Sequence, residues 1–180
     1  MSRIGKMPIE LNSSVKVSLK GSVLTVQGPK ATLVRDIHPN ISVVVDGTHI
    51  NVERKDDSSE AKALHGLFRM LINNMVVGVS QGFTKILEVK GTGYKFELKG
   101  NKIGFSLGFS HPIEMELPKG VSAEINKTNN ELTLTSADKE VLGDFAAKIK
   151  QLRPVEPYKG KGVSYKGQVI RRKAGKAAGK

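Results

Sequence analysis

The sequence predicts an α+β protein of two similar domains, each a small, mostly antiparallel sheet packed against one helix, with a basic C-terminal extension. Three observations support this fold class. Short segments alternate apolar and polar residues, two longer segments place apolar residues three or four apart, and this order occurs twice along the chain. The first pattern is typical of half-buried strands and the second of amphipathic helices, while the repetition indicates a duplicated unit.

The first predicted domain, residues 1–82, opens with strands joined by tight turns. Asp46-Gly47 is the strongest turn signal, because both central residues of a type I′ turn need a positive φ. The alternating apolar residues include Val15, Val17, Leu19, Ile41, Val43 and Val45. This pattern predicts an antiparallel meander.

A helix is expected after the meander. Asp57, with Glu60 three residues later, fits an N-terminal capping pair. Gly78 and Gly82 are expected to end the helix. Its predicted inward face consists of Ala61, Leu64, Phe68, Leu71, Ile72 and Met75.

The second predicted domain, residues 83–153, repeats this order. Ser136 is a candidate N-cap for its helix, and Pro154 is expected to stop that helix. Strand-like alternation covers residues 85–90, 94–98, 102–107, 113–117, 121–125 and 131–135. The apolar face of the second helix consists of Val141, Leu142, Phe145, Ala146, Ile149 and Leu152.

The two helices align residue by residue. Phe68 and Ile72 of the first correspond to Phe145 and Ile149 of the second, and a glycine stands two positions before each phenylalanine. The strand before each helix also corresponds, so the sequence indicates duplication with a boundary near Gly82. A single sheet carrying both helices is the alternative arrangement.

The charge balance points to a polyanionic partner. The 180 residues carry a net charge of +12 at pH 7, and such an excess repels itself in a compact protein unless an anion balances it. Nucleic acid is the first candidate and an anionic membrane surface the second. The chain has no cysteine, which excludes disulfides and Cys-ligated zinc. The sequence shows no signal peptide and no apolar run long enough for a bilayer, which predicts a cytoplasmic protein.

Two motifs resemble catalytic or nucleotide-binding signatures, but neither has the required context. Gly104-Phe105-Ser106-Leu107-Gly108 matches a hydrolase nucleophile motif, yet Ser106 lies in a strand-like run and no carboxylate falls between it and His111. Gly91-Thr92-Gly93 enters a strand and lacks the third glycine of a dinucleotide fingerprint. The four histidines share no ligand spacing. We therefore expect no enzymatic activity, metal, cofactor or small-molecule substrate.

The predicted extension, residues 154–180, carries most of the charge excess. From Arg153 onward there are nine Lys or Arg and one Glu, a net +8 of the total +12. Two prolines are expected to keep the chain extended, so that Lys159 and Lys161 project to one side while glycines leave bare backbone on the other. Bare backbone can approach a phosphate closely, and tyrosine rings can stack on bases. The predicted RNA-binding residues here are Arg153, Tyr158, Lys159, Gly160, Lys161, Gly162, Tyr165, Lys166, Arg171, Arg172 and Lys173.

Pro157-Tyr158-Lys159-Gly160-Lys161-Gly162, preceded by Arg153-Pro154 and Glu156, resembles the C-terminal signature of the bacterial ribosomal large-subunit protein six family. The resemblance covers essentially the whole chain. The other matching motifs are the Met-Ser-Arg-Ile-Gly-Lys start, Gly28-Pro29-Lys30, Leu64-His65-Gly66, Gly78-Val79-Ser80-Gln81-Gly82-Phe83, Gly91-Thr92-Gly93-Tyr94-Lys95, Gly108-Phe109-Ser110-His111-Pro112 and Ser136-Ala137-Asp138-Lys139.

Membership of this family implies a structural role in the large ribosomal subunit. It implies binding to 23S ribosomal RNA near its 3′ domain, close to the stalk base and the factor-binding region, with neighbouring ribosomal proteins as partners. We expect secondary RNA contacts from Arg3, Lys6, Tyr94 and Lys95. A non-ribosomal RNA-binding protein or RNA chaperone is the alternative, and no membrane contact is expected.

Overall fold

The computed structural model describes residues 3–126, 128 and 130–175, so the last five residues of the predicted extension lie outside the described part. The chain forms two compact units. The first runs to Phe83 and includes Ala137–Lys139, and the second comprises Thr84–Ser136 and the chain from Glu140 onward. Their helices and small antiparallel sheets confirm the predicted α+β class.

The first unit contains six strands and one helix. These elements are β1 (Ile9–Glu10), β2 (Lys16–Lys20), β3 (Val23–Gln27), β4 (Thr32–Asp36), β5 (Ile41–Asp46), β6 (His49–Arg54) and α1 (Ser59–Ser80). One sheet has the strand order β1-β6-β5 and the other β2-β3-β4. All neighbouring strands in these two sheets are antiparallel, as the turn chemistry predicts.

Helix α1 covers both sheets of the first unit with one apolar face. Phe68, Ile72 and Met75 are buried on this face, at the spacing that the sequence predicts. The sheet residues in the same core cluster include Leu24, Val26, Ile41, Val43, Ile50 and Val52. Burying one side chain of this size stabilises the fold by roughly 1.5–3 kcal/mol, so the shared core holds α1 more than helix propensity does.

The N-terminus of α1 differs from the prediction by one residue. Ser58 is the N-cap, and its Oγ accepts a hydrogen bond from the Ala61 amide at 3.1 Å. Asp57, the predicted cap, instead pairs with Arg54, with 2.6 Å between Oδ1 and Nη2. The hydrogen bond from this guanidinium lowers the pKa of Asp57. The prediction was wrong because Arg54 takes up the carboxylate that would have capped the helix.

The second unit repeats the arrangement and adds one strand. Its elements are β7 (Phe83–Lys90), β8 (Lys95–Lys99), β9 (Lys102–Ser106), β10 (Ile113–Glu116), β11 (Val121–Asn126), β12 (Glu131–Ser136), α2 (Lys139–Leu152) and β13 (Gly162–Tyr165). The strands form the sheets β10-β9-β8 and β11-β12-β7-β13. Ser136 is the last residue of β12, and α2 begins three residues later, at Lys139. An N-cap directly precedes the first helical residue, so the prediction of Ser136 as the N-cap was wrong.

Equivalent side chains of the two repeats are buried in the same way. Phe68 and Phe145 are 9% and 4% exposed, and both Ile72 and Ile149 are fully buried. The strands that precede the helices carry the matching buried pairs Ile50 and Val52 in β6, and Leu132 and Leu134 in β12. This equivalence confirms the predicted duplication, and the separate sheets rule out the alternative of one sheet carrying both helices.

Strand β13 joins the first part of the basic extension to the second unit. Its four residues pair antiparallel with β7, and Tyr165 lies opposite Leu87. Val163 is fully buried, and Pro154 forms an isolated parallel bridge with it. The extension therefore contributes an edge strand to a packed sheet.

Gly162 fixes the start of β13, and its replacement generates a prediction. Its φ is +135°, and a Cβ there would lie 2.7 Å from the Pro154 carbonyl oxygen and 2.8 Å from the Val155 Cα. Because both neighbours are backbone atoms, neither can rotate away. We predict that Gly162→Ala destabilises the second unit by at least about 2 kcal/mol, measured as a lower urea midpoint.

Gly104→Ala is the matched control for this substitution. Gly104 also lies in a strand of the second unit, but a Cβ there would first meet the Glu97 carbonyl oxygen at 3.7 Å, an ordinary contact. The urea midpoint of this variant should remain close to that of the unsubstituted protein. Equal losses in the two variants would contradict the packing argument for Gly162.

Candidate nucleic-acid interface

Residues Glu156–Lys161, here called the 156–161 loop, form a closed turn. The Glu156 amide donates to the Lys161 carbonyl at 2.9 Å, and the Gly160 amide donates to the Glu156 carbonyl at 3.0 Å. The Glu156 carboxylate also accepts from the amides of Tyr158 and Lys159, at 3.2 and 3.1 Å. The predicted extended conformation is therefore wrong here, because one carboxylate satisfies two amides and bends the chain.

The two glycines of this region serve packing inside the protein. Gly160, with φ +70°, is buried beside Arg172, whose Nη2 would lie 3.3 Å from an added Cβ. Gly162 is buried against the backbone of residues 153–155. The expectation that these glycines leave bare backbone facing outward was therefore wrong.

The chain returns to the 156–161 loop after β13. The Lys173 amide donates to the Pro157 carbonyl at 2.9 Å, and the Arg172 guanidinium lies beside Gly160. This return brings two groups of exposed cations to one loop. They are Lys159 and Lys161 in the loop itself, and Arg171, Arg172 and Lys173 in the returning chain. Within the described part of the chain, none of these five cations has a carboxylate oxygen within 4.0 Å.

The two predicted tyrosines of the extension have different surroundings. Tyr158, in the loop, is 54% exposed and can offer its ring to a partner. Tyr165 is only half-buried at its edge strand, but the ammoniums of Lys85 and Lys150 already lie 5.1 and 5.0 Å from its ring centroid. Of these two, Tyr158 is the better candidate for stacking.

Two predicted lysines are already paired with carboxylates. Lys166 Nζ lies 3.0 Å from Glu131 Oε1, and the Glu131 side chain is only 14% exposed. Lys95 Nζ lies 2.5 Å from Glu97 Oε1. Each of these cations would have to share or exchange its carboxylate to bind a phosphate, so Lys166 and Lys95 are weaker candidates for RNA contact than the cations of the 156–161 loop.

A second aromatic and cationic patch forms around Tyr94. The Tyr94 ring packs against Gly91 and Gly108, where an added Cβ would come within 2.6 and 2.9 Å of ring atoms. The next residue, Phe109, is 41% exposed, and the Arg153 guanidinium carbon lies 5.6 Å from its ring centroid. The glycines of the Gly91-Thr92-Gly93 motif thus accommodate a tyrosine ring, and Tyr94, Phe109 and Arg153 converge.

Phe109 is a candidate that sequence reasoning missed. It lies in a turn between β9 and β10, where an exposed aromatic residue has no role in either sheet. The alternating pattern does not reveal that Phe109 is exposed. The available signal was an aromatic residue between Gly108 and Ser110, where a turn at the surface is expected.

Arg3 and Lys6 belong to the first unit and precede β1. Lys6 lines a cleft of about 740 Å³ with Arg54 and His65. His65 is 4% exposed, and its Nε2 lies 2.8 Å from the Val52 carbonyl oxygen. Because a carbonyl only accepts, Nε2 is the donor there. His65 is thus a packing residue of the first unit.

Ser106 does not lie in a nucleophile elbow. It is the last residue of β9, paired with Lys95 of β8, and the next element is the strand β10 rather than a helix. Among the described residues, no three His, Asp or Glu side chains are grouped to hold a metal ion. None of the helices that the structure describes is long and apolar enough to span a membrane.

Comparison with known proteins extends over both repeats. The family model described as Ribosomal protein L6 matches residues 12–82 and 90–166. The chain is 52% identical to large ribosomal subunit protein uL6 of Chloroherpeton thalassium, over 180 residues that cover 100% of both chains. Relatives of the same name from Carboxydothermus hydrogenoformans and Geobacter metallireducens are each 49% identical over 180 residues, which cover all of this chain and 98% and 100% of theirs.

The matches along the full length place the chain among the structural proteins of ribonucleoprotein particles rather than among enzymes. The chain belongs to the ribosomal protein L6 family. It is a structural component of the large ribosomal subunit, in the cytoplasm. The alternative of a non-ribosomal RNA-binding protein is therefore not retained.

Glu156 provides a test of whether the folded loop matters for RNA binding. Glu156→Ala removes the acceptor that holds the amides of Tyr158 and Lys159, while Glu156→Gln keeps an oxygen in its place. Both remove the same negative charge. We predict that the alanine variant binds large-subunit ribosomal RNA roughly 2- to 10-fold more weakly, because the loop must then be ordered on binding.

The glutamine variant should bind at least as tightly as the unsubstituted protein, because it keeps the turn and loses a charge that repels phosphate. Filter binding at fixed salt measures both affinities. Tighter binding by both variants would show that net charge, and not the folded loop, determines affinity.

Proposed function

We propose that the 156–161 loop and residues 171–173 bind 23S ribosomal RNA through contacts mainly to phosphate and sugar. One observation carries the proposal: Lys159, Lys161 and Arg172 converge on a folded loop and have no carboxylate partner among the described residues. A cation without an internal partner is available to an external anion, and phosphate contacts position a protein on RNA. Because the chain belongs to a ribosomal protein family, ribosomal RNA is the expected anion.

The side chains of the loop fit this partner in different ways. Arg172 offers a forked donor that matches two phosphate oxygens, while Lys159 and Lys161 act as point charges. The exposed ring of Tyr158 can stack on an unpaired base or a sugar, a contact worth roughly 1–3 kcal/mol. The folded loop presents these groups together, so the shape of the RNA would determine specificity.

Secondary contacts would come from other parts of the chain. In the second unit, exposed Phe109 and Arg153, together with half-buried Tyr94, form an aromatic and cationic patch suited to a splayed nucleotide. Arg3 and Lys6 would contribute from the first unit. Residues 1–82 and 83–153 then act as repeated scaffolds, and residues 154–180 act as the extension that carries the main contacts.

The position on the RNA is part of the same proposal. The match of the 156–161 loop to the family signature supports binding near the 3′ domain of the 23S RNA, close to the stalk base and the factor-binding region. The neighbouring ribosomal proteins at the stalk base would be its protein partners.

Directed cleavage tests this position. Because the chain has no cysteine, Tyr158→Cys creates a single attachment point for an iron chelate that generates hydroxyl radicals. We predict that, in reconstituted large subunits, the strongest RNA cleavages from this probe fall in the 3′ domain, since residue 158 lies in the contact loop. Val44→Cys, on an exposed strand position of the first unit, is the control for background cleavage. Cleavages confined to other domains would refute the proposed position.

The salt dependence of binding tests the loop cations. Each phosphate neutralised by a cation steepens the dependence of affinity on salt. We predict that the double variant Lys159→Ala and Lys161→Ala binds ribosomal RNA more weakly and flattens the salt slope by roughly one to two units. Titrations at several salt concentrations measure the slope.

Lys16→Ala with Lys20→Ala is the control for this measurement, because these exposed lysines of β2 make the same change in net charge. The control slope should not change. An unchanged slope for the loop variant would remove Lys159 and Lys161 from the interface.

A further inference from the structure

Two ammoniums in the second unit approach one tyrosine ring. Lys85 Nζ, from β7, and Lys150 Nζ, from α2, lie 5.1 and 5.0 Å from the ring centroid of Tyr165, in β13. All three side chains are half-buried. Because both nitrogens lie so near one centroid, their separation is at most about 10 Å, close to one Debye length at 0.1 M salt, and their repulsion is incompletely screened.

The other lysines in the strands of this unit are neutralised within the fold. Lys90 lies 3.0 Å from Glu88, Lys95 2.5 Å from Glu97, Lys99 3.6 Å from Glu114 and Lys102 3.0 Å from Glu116. Lys85 differs from these strand lysines, because no carboxylate oxygen lies within 4.0 Å of its ammonium in the described part of the unit. The ammonium of Lys150, in α2, likewise has no carboxylate oxygen within this distance. The fold thus pairs the other strand lysines of this unit with glutamates but leaves these two cations near one tyrosine ring without a carboxylate partner among the described residues.

Open space adjoins Lys85 and the Tyr165 ring. A cleft of about 500 Å³ is lined by Lys85, Ile86, Tyr165 and Lys166, and Lys150 approaches the same ring from α2 outside this lining. On the α2 side, Gly143 has no Cβ, and the nearest atom to the position of such a Cβ is Lys85 Nζ at 3.8 Å. A cation–π contact at a partly exposed site is worth only about 0.5–1 kcal/mol, less than the roughly 1.5–3 kcal/mol of a hydrogen bond to a charged group, so a phosphate can compete for either ammonium.

We propose that Lys85 and Lys150, held in place by the Tyr165 ring, bind a backbone phosphate of ribosomal RNA at a site separate from the 156–161 loop. This inference rests on the proposed RNA-binding function of the second unit. A phosphate beside the Tyr165 ring would lower the repulsion between the two ammoniums and give them a charge-assisted partner. Tyr165 then positions cations instead of stacking on a base, which replaces the role that the sequence predicts for it.

Salt-dependent binding with charge-matched variants tests the proposal. The double variant Lys85→Gln and Lys150→Gln should flatten the salt slope for 23S ribosomal RNA by roughly one to two units and weaken binding about tenfold or more at 0.1 M salt. The control is Lys99→Gln with Lys102→Gln, which makes the same change in net charge on lysines that are already paired with glutamates. The control slope should stay at the value of the unsubstituted protein.

The outcomes separate this site from the proposed function. An unchanged slope for the Lys85 and Lys150 variant refutes the site, and the slope of the Lys159 and Lys161 variant then decides independently whether the loop binds RNA. Equal flattening in the test and control variants also refutes it, since net charge alone would then explain the effect.

A measurement on the unsubstituted protein covers the case in which the variant fails to fold. Acetylation by a water-soluble reagent, read by mass spectrometry, reports the accessibility of each lysine with and without RNA. Lys85 and Lys150 should lose at least about half of their reactivity on binding, as expected for ammoniums in contact with phosphate. Lys99 and Lys102 should not change. Full reactivity of Lys85 and Lys150 in the complex would overturn the proposal.

Discussion

The pairing of β13 with β7 is the constraint on which the cationic end of the molecule depends. Val163 is fully buried in this pairing, and Gly162 allows the strand to start directly against the backbone of residues 153–155. The 156–161 loop is the connection between that backbone and β13, so its ends are fixed by a packed sheet. Basic residues that would otherwise sample many conformations are therefore presented in one arrangement, which lowers the entropy lost on binding.

Internal ion pairs balance part of the positive charge of a chain whose net charge is +12. Cations on the sheets of the second unit are balanced locally, as in the pairs of Lys99 with Glu114 and Lys102 with Glu116. Exposed pairs of this kind add little stability, but they reduce self-repulsion where no partner is expected. The cations of the 156–161 loop and those beside Tyr165 have no such carboxylate partner among the described residues, and RNA would balance their charge.

The fold class could be predicted from the sequence because hydrophobic periodicity is a local signal, and Phe68 and Phe145 are buried at the positions that the repeat predicts. The cationic segment was also recognisable from charge alone. Its conformation was not, because the bend depends on one carboxylate, that of Glu156, accepting two nearby amides. The surroundings of Tyr165 could not be predicted either, since its neighbours Lys85 and Lys150 come from elements distant in sequence.

The central claim is that the 156–161 loop acts as a prefolded contact to RNA. The most direct measurement is a cryo-electron microscopy map of the native large subunit that contains this chain. We predict that the hydrogen bonds of Glu156 with Lys161, Gly160, Tyr158 and Lys159 persist in the particle. The ammoniums of Lys159 and Lys161 should lie within about 4 Å of RNA phosphate oxygens. A loop that faces solvent, or one that unfolds to reach the RNA, would contradict the account.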